Sequence, residues 1–154
     1  MSMLRHADPQ VQQLITLFEG LTAADLPGLA GVYSPQARFK DPFNTVQGVP
    51  AIQHIFAHMF KTLDGPRFTV LSAVAQGNDV FLTWDFKLRT RGLGARDMLI
   101  HGASHLQFDA DGLVVQHRDY WDAAEELYEK LPVVGALMRW LKRRAGSPLP
   151  GPQS

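Results

Sequence analysis

The stretch from His101 to Asp122, HGASHLQFDADGLVVQHRDYWD, constrains this chain more than any other. It reads as two strands joined by a tight turn at Asp109-Ala110-Asp111-Gly112, where Gly112 can take the positive φ that such turns often need. With Phe108 opposite Leu113, the register sets Leu106 opposite Val115, Ser104 opposite His117, Gly102 opposite Asp119 and Ile100 opposite Trp121. Alternation puts these residues on one face, apolar apart from Ser104, His117 and Asp119. The other face carries His101, His105, Gln107, Gln116, Arg118 and Tyr120. An apolar face turns inward. Here it takes an imidazole and a carboxylate with it, and those need a reason to be there.

The rest of the chain limits the setting. Its 154 residues suffice for one domain with a sizeable core. Fifteen lysines and arginines balance 15 aspartates and glutamates, so no global field favours nucleic acid, and none is expected as a partner. Without cysteine, disulfides and thiolate metal sites are excluded. The opening MSMLRHADPQ lacks the apolar core of a signal peptide, and no apolar run reaches membrane-spanning length. A cytoplasmic protein is the expectation.

Asp8-Pro9 predicts a helix start, followed by Val11, Leu14, Ile15 and Phe18 at helical spacing. Thr22 caps a second helix over Ala23–Tyr33, with Leu26, Leu29, Ala30 and Tyr33 on one side, stopped by Ser34-Pro35. Ala37–Asp41 alternates as a short strand ended by Pro42, so Asp41 points inward if Phe39 does. After a loop through Gly48, Val49–Leu63 is the clearest helix, with Ile52, Ile55, Phe56, Met59, Phe60 and Leu63 as its stripe. Strands over Arg67–Ala75 and Val80–Arg91 come next, the second with Leu82, Trp84, Phe86 and Leu88 on its apolar face. Beyond the hairpin, helices are expected over Ala123–Leu131 and Val133–Arg144, then a flexible tail over 146–154. Helices followed by successive hairpins predict an α+β fold, with residues 1–145 as a single domain.

From about residue 8 to 122 this order resembles the NTF2-like superfamily, which includes SnoaL-type polyketide cyclases and ketosteroid isomerases. The resemblance is carried by Ala24-Asp25-Leu26, by Ala37-Arg38-Phe39-Lys40-Asp41-Pro42 and by Gly48-Val49-Pro50-Ala51-Ile52. The Val80–Leu88 strand, His105-Leu106-Gln107-Phe108, Asp111-Gly112 and Val114-Val115 complete it. It implies a curved antiparallel sheet wrapped around a long helix as a cone with an apolar pocket. Asp41 matches the general-base aspartate of ketosteroid isomerases. The first helix has no tyrosine for their oxyanion hole, Ser104 stands where their protonated aspartic acid stands, and Phe56 replaces a supporting tyrosine. Strict ketosteroid isomerisation is therefore not expected. Asp119 matches the acid/base aspartate that the polyketide-cyclase branch places on its last strand.

The expected catalytic groups are thus Asp41, His117 and Asp119. Ile55, Phe56, Met59, Trp84, Phe86, Ser104 and Trp121 are expected to contact the substrate. Gly102 would leave room beside Asp119. Burial disfavours a carboxylate's charged form and suits it to proton transfer near neutrality. Plainer alternatives stand beside each assignment. Asp41 can end its strand by bonding loop amides, His117 can be a satisfied core histidine, Asp119 can help Asp122 cap the final helix, and both tryptophans can be core. His54 and His58 lie four apart on a helix without a third ligand, and His101 and His105 are too far apart on a strand to chelate, so no metal is expected. The basic run Arg139–Arg144 fits the end of a docked helix better than a membrane contact.

Three functions follow. The first is a cofactor-independent acid/base enzyme of isomerase, cyclase or hydrolase type, acting on a small hydrophobic carbonyl or epoxide substrate. The second is a non-catalytic protein that binds a hydrophobic ligand. The third is an interaction module, dimerising or docking through the polar sheet face and the last helix, with a filled cone. A homodimer is expected in any case.

Overall fold

The computed structural model describes residues 4–123 together with 125 and 126. Helix α1 spans Pro9–Gly20 and a 3-10 helix spans Ala23–Gly31. Strands β1 (Tyr33–Lys40) and β2 (Thr45–Gln47) precede the long helix α2 (Val49–Thr62). Four long strands follow: β3 (Leu63–Gln76), β4 (Asp79–Thr90), β5 (Asp97–Phe108) and β6 (Val114–Tyr120). They form one six-stranded sheet in the order β2-β1-β6-β5-β4-β3. Among the described residues no helix is long and apolar enough to cross a membrane.

Local chemistry accounts for the helix starts. The Asp8 carboxylate accepts the Gln10 amide at 2.9 Å, with proline in the first turn of α1. Asp25 accepts both the amide and the hydroxyl of Thr22 at 2.8 Å, opening the 3-10 helix. Both α1 and α2 lay their apolar stripes against the sheet, α1 through Val11, Leu14, Ile15 and Phe18, α2 through Val49, Ile52 and Phe56. Strict alternation does the same on β4 and β5, where Val80, Leu82, Trp84, Ile100, Ser104 and Leu106 are all buried.

The sheet departs from expectation in three places. Tyr33 does not end the second helix. It begins β1, fully buried, and Pro35 lies inside the strand rather than stopping a helix. Proline is tolerated there because the β1–β6 register slips between Tyr33 and Arg38, so the ladder has no use for its missing amide hydrogen. The β1–β6 pair is parallel, so the sheet is mixed rather than wholly antiparallel. Thr45–Gln47, expected as loop, pairs with Arg38–Lys40 as β2.

The hairpin itself is re-registered. Gly112 has φ 79°, and Asp109 accepts the Asp111 and Leu113 amides, each at 2.9 Å, so the turn forms where expected. Phe108, however, pairs with Val114 and Gln107 with Gln116, leaving Val115 as the extra residue of a bulge. Ser104 therefore faces Asp119 and Leu106 faces His117. The total slip is two residues. Because strand side chains alternate with a period of two, His117 and Asp119 keep the inward face that the simple register assigns them.

Gly102 also has a different reason from the expected one. It pairs with Trp84, and a Cβ built on it would lie 2.5 Å from the indole. The glycine makes room for that ring, not for open space beside Asp119. Gly102→Ala is therefore expected to destabilise the fold by about 1–3 kcal/mol, read from urea unfolding. An alanine variant as stable as the parent would show that the ring can move aside.

Candidate active site

Five side chains on four strands form one hydrogen-bonded chain. Trp84 on β4 donates its indole N–H to Ser104 Oγ on β5 at 2.8 Å. Ser104 passes its hydroxyl hydrogen to Asp119 Oδ1 on β6 at 2.5 Å. His117 Nε2 meets the same oxygen at 2.8 Å, and His117 Nδ1 meets the Tyr33 hydroxyl on β1 at 2.7 Å. The donors and acceptors order themselves from one end. An indole N–H can only donate, so Ser104 must donate onward to a carboxylate oxygen. That carboxylate takes a second bond from His117 Nε2–H, which leaves Nδ1 as acceptor for the tyrosine hydroxyl.

The walls explain why this order holds. His117 is 4% exposed and sits among Phe18, Tyr33 and Phe39, with ring centroids at 5.6, 6.1 and 4.8 Å. Tyr33 is wholly buried. Burial, and secondarily the nearby Asp119 charge, pushes its phenol well above the ordinary value of 10.0, so it stays a donor. The Asp119 side chain keeps 16% exposure against 5% for His117. Its Oδ1 takes both bonds, while Oδ2 takes none among the described residues.

This carboxylate opens on an aromatic cavity of about 20 Å³, lined by Phe18, Phe56, Phe68, Val70, Leu82, Trp84, Ser104, His117 and Asp119. That volume admits a single water molecule. It is far below the several hundred Å³ typical of a ligand pocket, so a larger molecule requires the rings to move.

Of the residues expected from sequence, Phe56, Trp84, Ser104, His117 and Asp119 meet at this cavity. Asp41 does not line it. Continuing the β1–β6 register would set Asp41 beside Asp119, but β1 ends at Lys40. The Asp41 carboxylate instead accepts the Phe43 amide at 2.8 Å, the Asn44 amide at 2.6 Å and the Asn44 side-chain amide at 3.1 Å, bracing the loop. Ile55 and Met59 are half-buried on α2 beside the Phe56 stripe and do not reach the cavity. Phe86 stacks on Phe68 with centroids 4.4 Å apart, farther along β4. Trp121 lies past the end of β6, edge-on to Phe43 at 5.5 Å. His54 and His58 are exposed on α2. Asp122 accepts the Glu125 amide at 3.2 Å, as a helix cap would. The helices expected beyond it, the basic run Arg139–Arg144 and the tail lie outside the described residues.

Tyr33, Phe18, Phe68 and Val70 are the contributors that sequence reading passed over. For Tyr33 the signal was present: a tyrosine two residues before a proline and four before an alternating strand suits a strand start as well as a helix end.

The fold and family comparisons agree with the architecture. The profile described as the SnoaL-like domain matches residues 14–117. A Shewanella putrefaciens CN-32 protein proposed to be a SnoaL-like polyketide cyclase superposes with TM-score 0.71 at 16% identity, covering 83% of this chain and 99% of that one. An LEH-like epoxide hydrolase of M. tuberculosis gives 0.63 at 16%, covering 86% and 90%. An NTF2-like protein of unknown function from Burkholderia pseudomallei K96243 gives 0.67 at 17%, covering 77% and 94%. No curated protein sequence matches the chain significantly. At these identities the likeness is one of fold.

Tyr33→Phe is expected to leave His117 Nδ1 buried without a donor and to cost about 1–3 kcal/mol at neutral pH. The raised phenol pKa adds a pH signature. Its stabilisation is complete below the unfolded phenol's value and is lost as pH rises through the folded one, because the unfolded chain releases that proton first. In urea titrations, the stability gap between parent and variant should narrow from about pH 10 upward. A gap that stays constant would contradict the buried donor.

Proposed function

The chain belongs to the SnoaL-like domain family, and from that membership we propose that it is a cofactor-independent acid/base enzyme acting on a small hydrophobic substrate. One observation carries the reading. Asp119 lines an aromatic cavity, with one carboxylate oxygen held by Ser104 and His117 and the other taking no bond among the described residues.

Such a carboxylate is oriented rather than free. Two donors fix Oδ1, so Oδ2 is the oxygen available to take a proton, either from carbon next to a carbonyl or from a water. The cavity has the volume to hold that water beside it. His117 positions the base. Its other ring nitrogen meets the Tyr33 hydroxyl, so the imidazole is held from both sides. Phe18, Phe56, Phe68 and Trp84 offer apolar walls to the non-reacting part of the substrate. The substrate class stays at a carbonyl compound or an epoxide, acted on by isomerisation, cyclisation or hydrolysis. Asp41, engaged by its own loop, takes no part in this scheme.

The small cavity favours a second reading, a non-catalytic member of the family whose interior is filled and which acts through its surface. Asp119→Asn separates the two. The asparagine keeps the shape and can still accept from Ser104, but it cannot take up a proton. Against a panel of hydrophobic ketones and epoxides, including solvent-deuterium exchange at the carbons next to the carbonyl, the enzyme reading expects turnover in the parent chain. It expects a loss of about 10²–10⁴-fold in the variant. Turnover equal in both chains would remove Asp119 as the base. A parent chain inert to the whole panel would favour the second reading.

A further inference from the structure

Behind the strand that carries His117 and Asp119, on the outer face of the sheet, a groove of about 460 Å³ crosses β2, β1 and β6. The registers arrange its side chains in two rows, Gln47–Arg38–Gln116 and Thr45–Lys40–Arg118. Phe39 and His117 also border it, but their side chains are buried on the inner face, so they supply its floor.

The charge pattern is one-sided. Arg38, Lys40 and Arg118 lie on adjacent strands, Lys40 directly beside Arg118, and no aspartate or glutamate lines the groove. None of the three has an ion-pair partner among the described residues. The carboxylates farther along this face are engaged elsewhere. Asp79 binds His105 and Gln107, Asp85 binds His101, and Asp97 binds Arg89. The contact from His105 and Gln107 holds Asp79 below the usual carboxylate range, so it stays ionised and paired where it is. Like charges directly opposite in a sheet are destabilising. A fold that gathers three of them around a concavity, flanked by neutral donors, has the make-up of an anion site.

We infer that this groove binds a phosphate group. Arg38 and Arg118 present planar forks of donors that match a tetrahedral oxyanion, Lys40 adds a point charge between β2 and β6, and Gln47, Gln116 and Thr45 supply neutral hydrogen bonds. Arg118 also stacks over Tyr120, its guanidinium carbon 4.6 Å from the ring centre, which limits how far the fork can swing. The volume fits a small phosphorylated molecule. The site is independent of the proposed chemistry at Asp119, although it occupies the back of the same strand.

The test is calorimetric titration of inorganic phosphate into the full chain, with ionic strength held constant by chloride. Saturable binding is expected. Arg38→Gln and Arg118→Gln should each weaken it about tenfold, and the double variant should abolish it. Asp119→Asn should bind like the parent. Unchanged urea midpoints in the arginine variants would show that the fold is intact. Sedimentation with phosphatidic acid vesicles then separates the sources. Co-sedimentation that the arginine variants lose assigns the phosphate to a lipid headgroup, and its absence alongside phosphate binding assigns it to a soluble ligand. No saturable binding in the parent, or binding that the arginine substitutions leave untouched, overturns the proposal.

Discussion

The hydrogen bond between the buried Tyr33 hydroxyl and His117 Nδ1 links the two halves of the sheet and sets the chemistry at its centre. Tyr33 starts β1 and His117 lies midway along β6, strands that pair in parallel although most of the chain separates them. A buried phenol must place its hydrogen, and a buried imidazole must satisfy both nitrogens. Each does so through the other. The remaining imidazole nitrogen then donates to Asp119, the acceptor it meets among the described residues. The direction of the whole chain, from Trp84 through Ser104 to the carboxylate, agrees with that assignment from its other end.

The sheet keeps its two faces chemically separate. Inward, apolar residues of β4 and β5 pack against α1 and α2, and the buried Ser104 and His117 are joined in one network, with no buried side-chain nitrogen or oxygen left without a partner among the described residues. Outward, charges sort along the sheet. His101, His105, Asp79, Asp85, Arg89 and Asp97 pair on β4 and β5, while the basic groups of β1 and β6 stand without counter-charges among the described residues. One strand thus serves both sides: β6 presents His117 and Asp119 to the interior and Gln116 and Arg118 to the groove behind. Alternation makes this possible at no cost in chain length.

Much of this architecture was legible in the residues. The α1 cap, the α2 stripe, the hairpin turn and the inward face of His117 and Asp119 all follow from spacing and from side-chain chemistry that acts over a few positions. The placement of the candidate residues was half legible. The inward face of Asp119 and His117 was readable because period-two alternation survives a two-residue slip of register, and a one-residue slip would have turned both to the outside. Asp41 was misplaced because alternation cannot say where a strand stops. A carboxylate followed by loop amides satisfies them locally as soon as the ladder ends. Tyr33 was missed because a tyrosine at the junction of a helical and an extended segment fits either, and its partner lies 84 residues away.

What the sequence determined by itself is the α+β class, the long amphipathic α2, the hairpin and the polar residues that go inward, since each depends on periodicity and on caps or turns within a few residues. Only the tertiary structure decided that β1 runs parallel to β6, that Val115 bulges, that Trp84 fills the space over Gly102, and that Tyr33 holds His117. Those outcomes rest on which distant strands become neighbours and on how large rings share a closed volume. Local spacing carries no information about either.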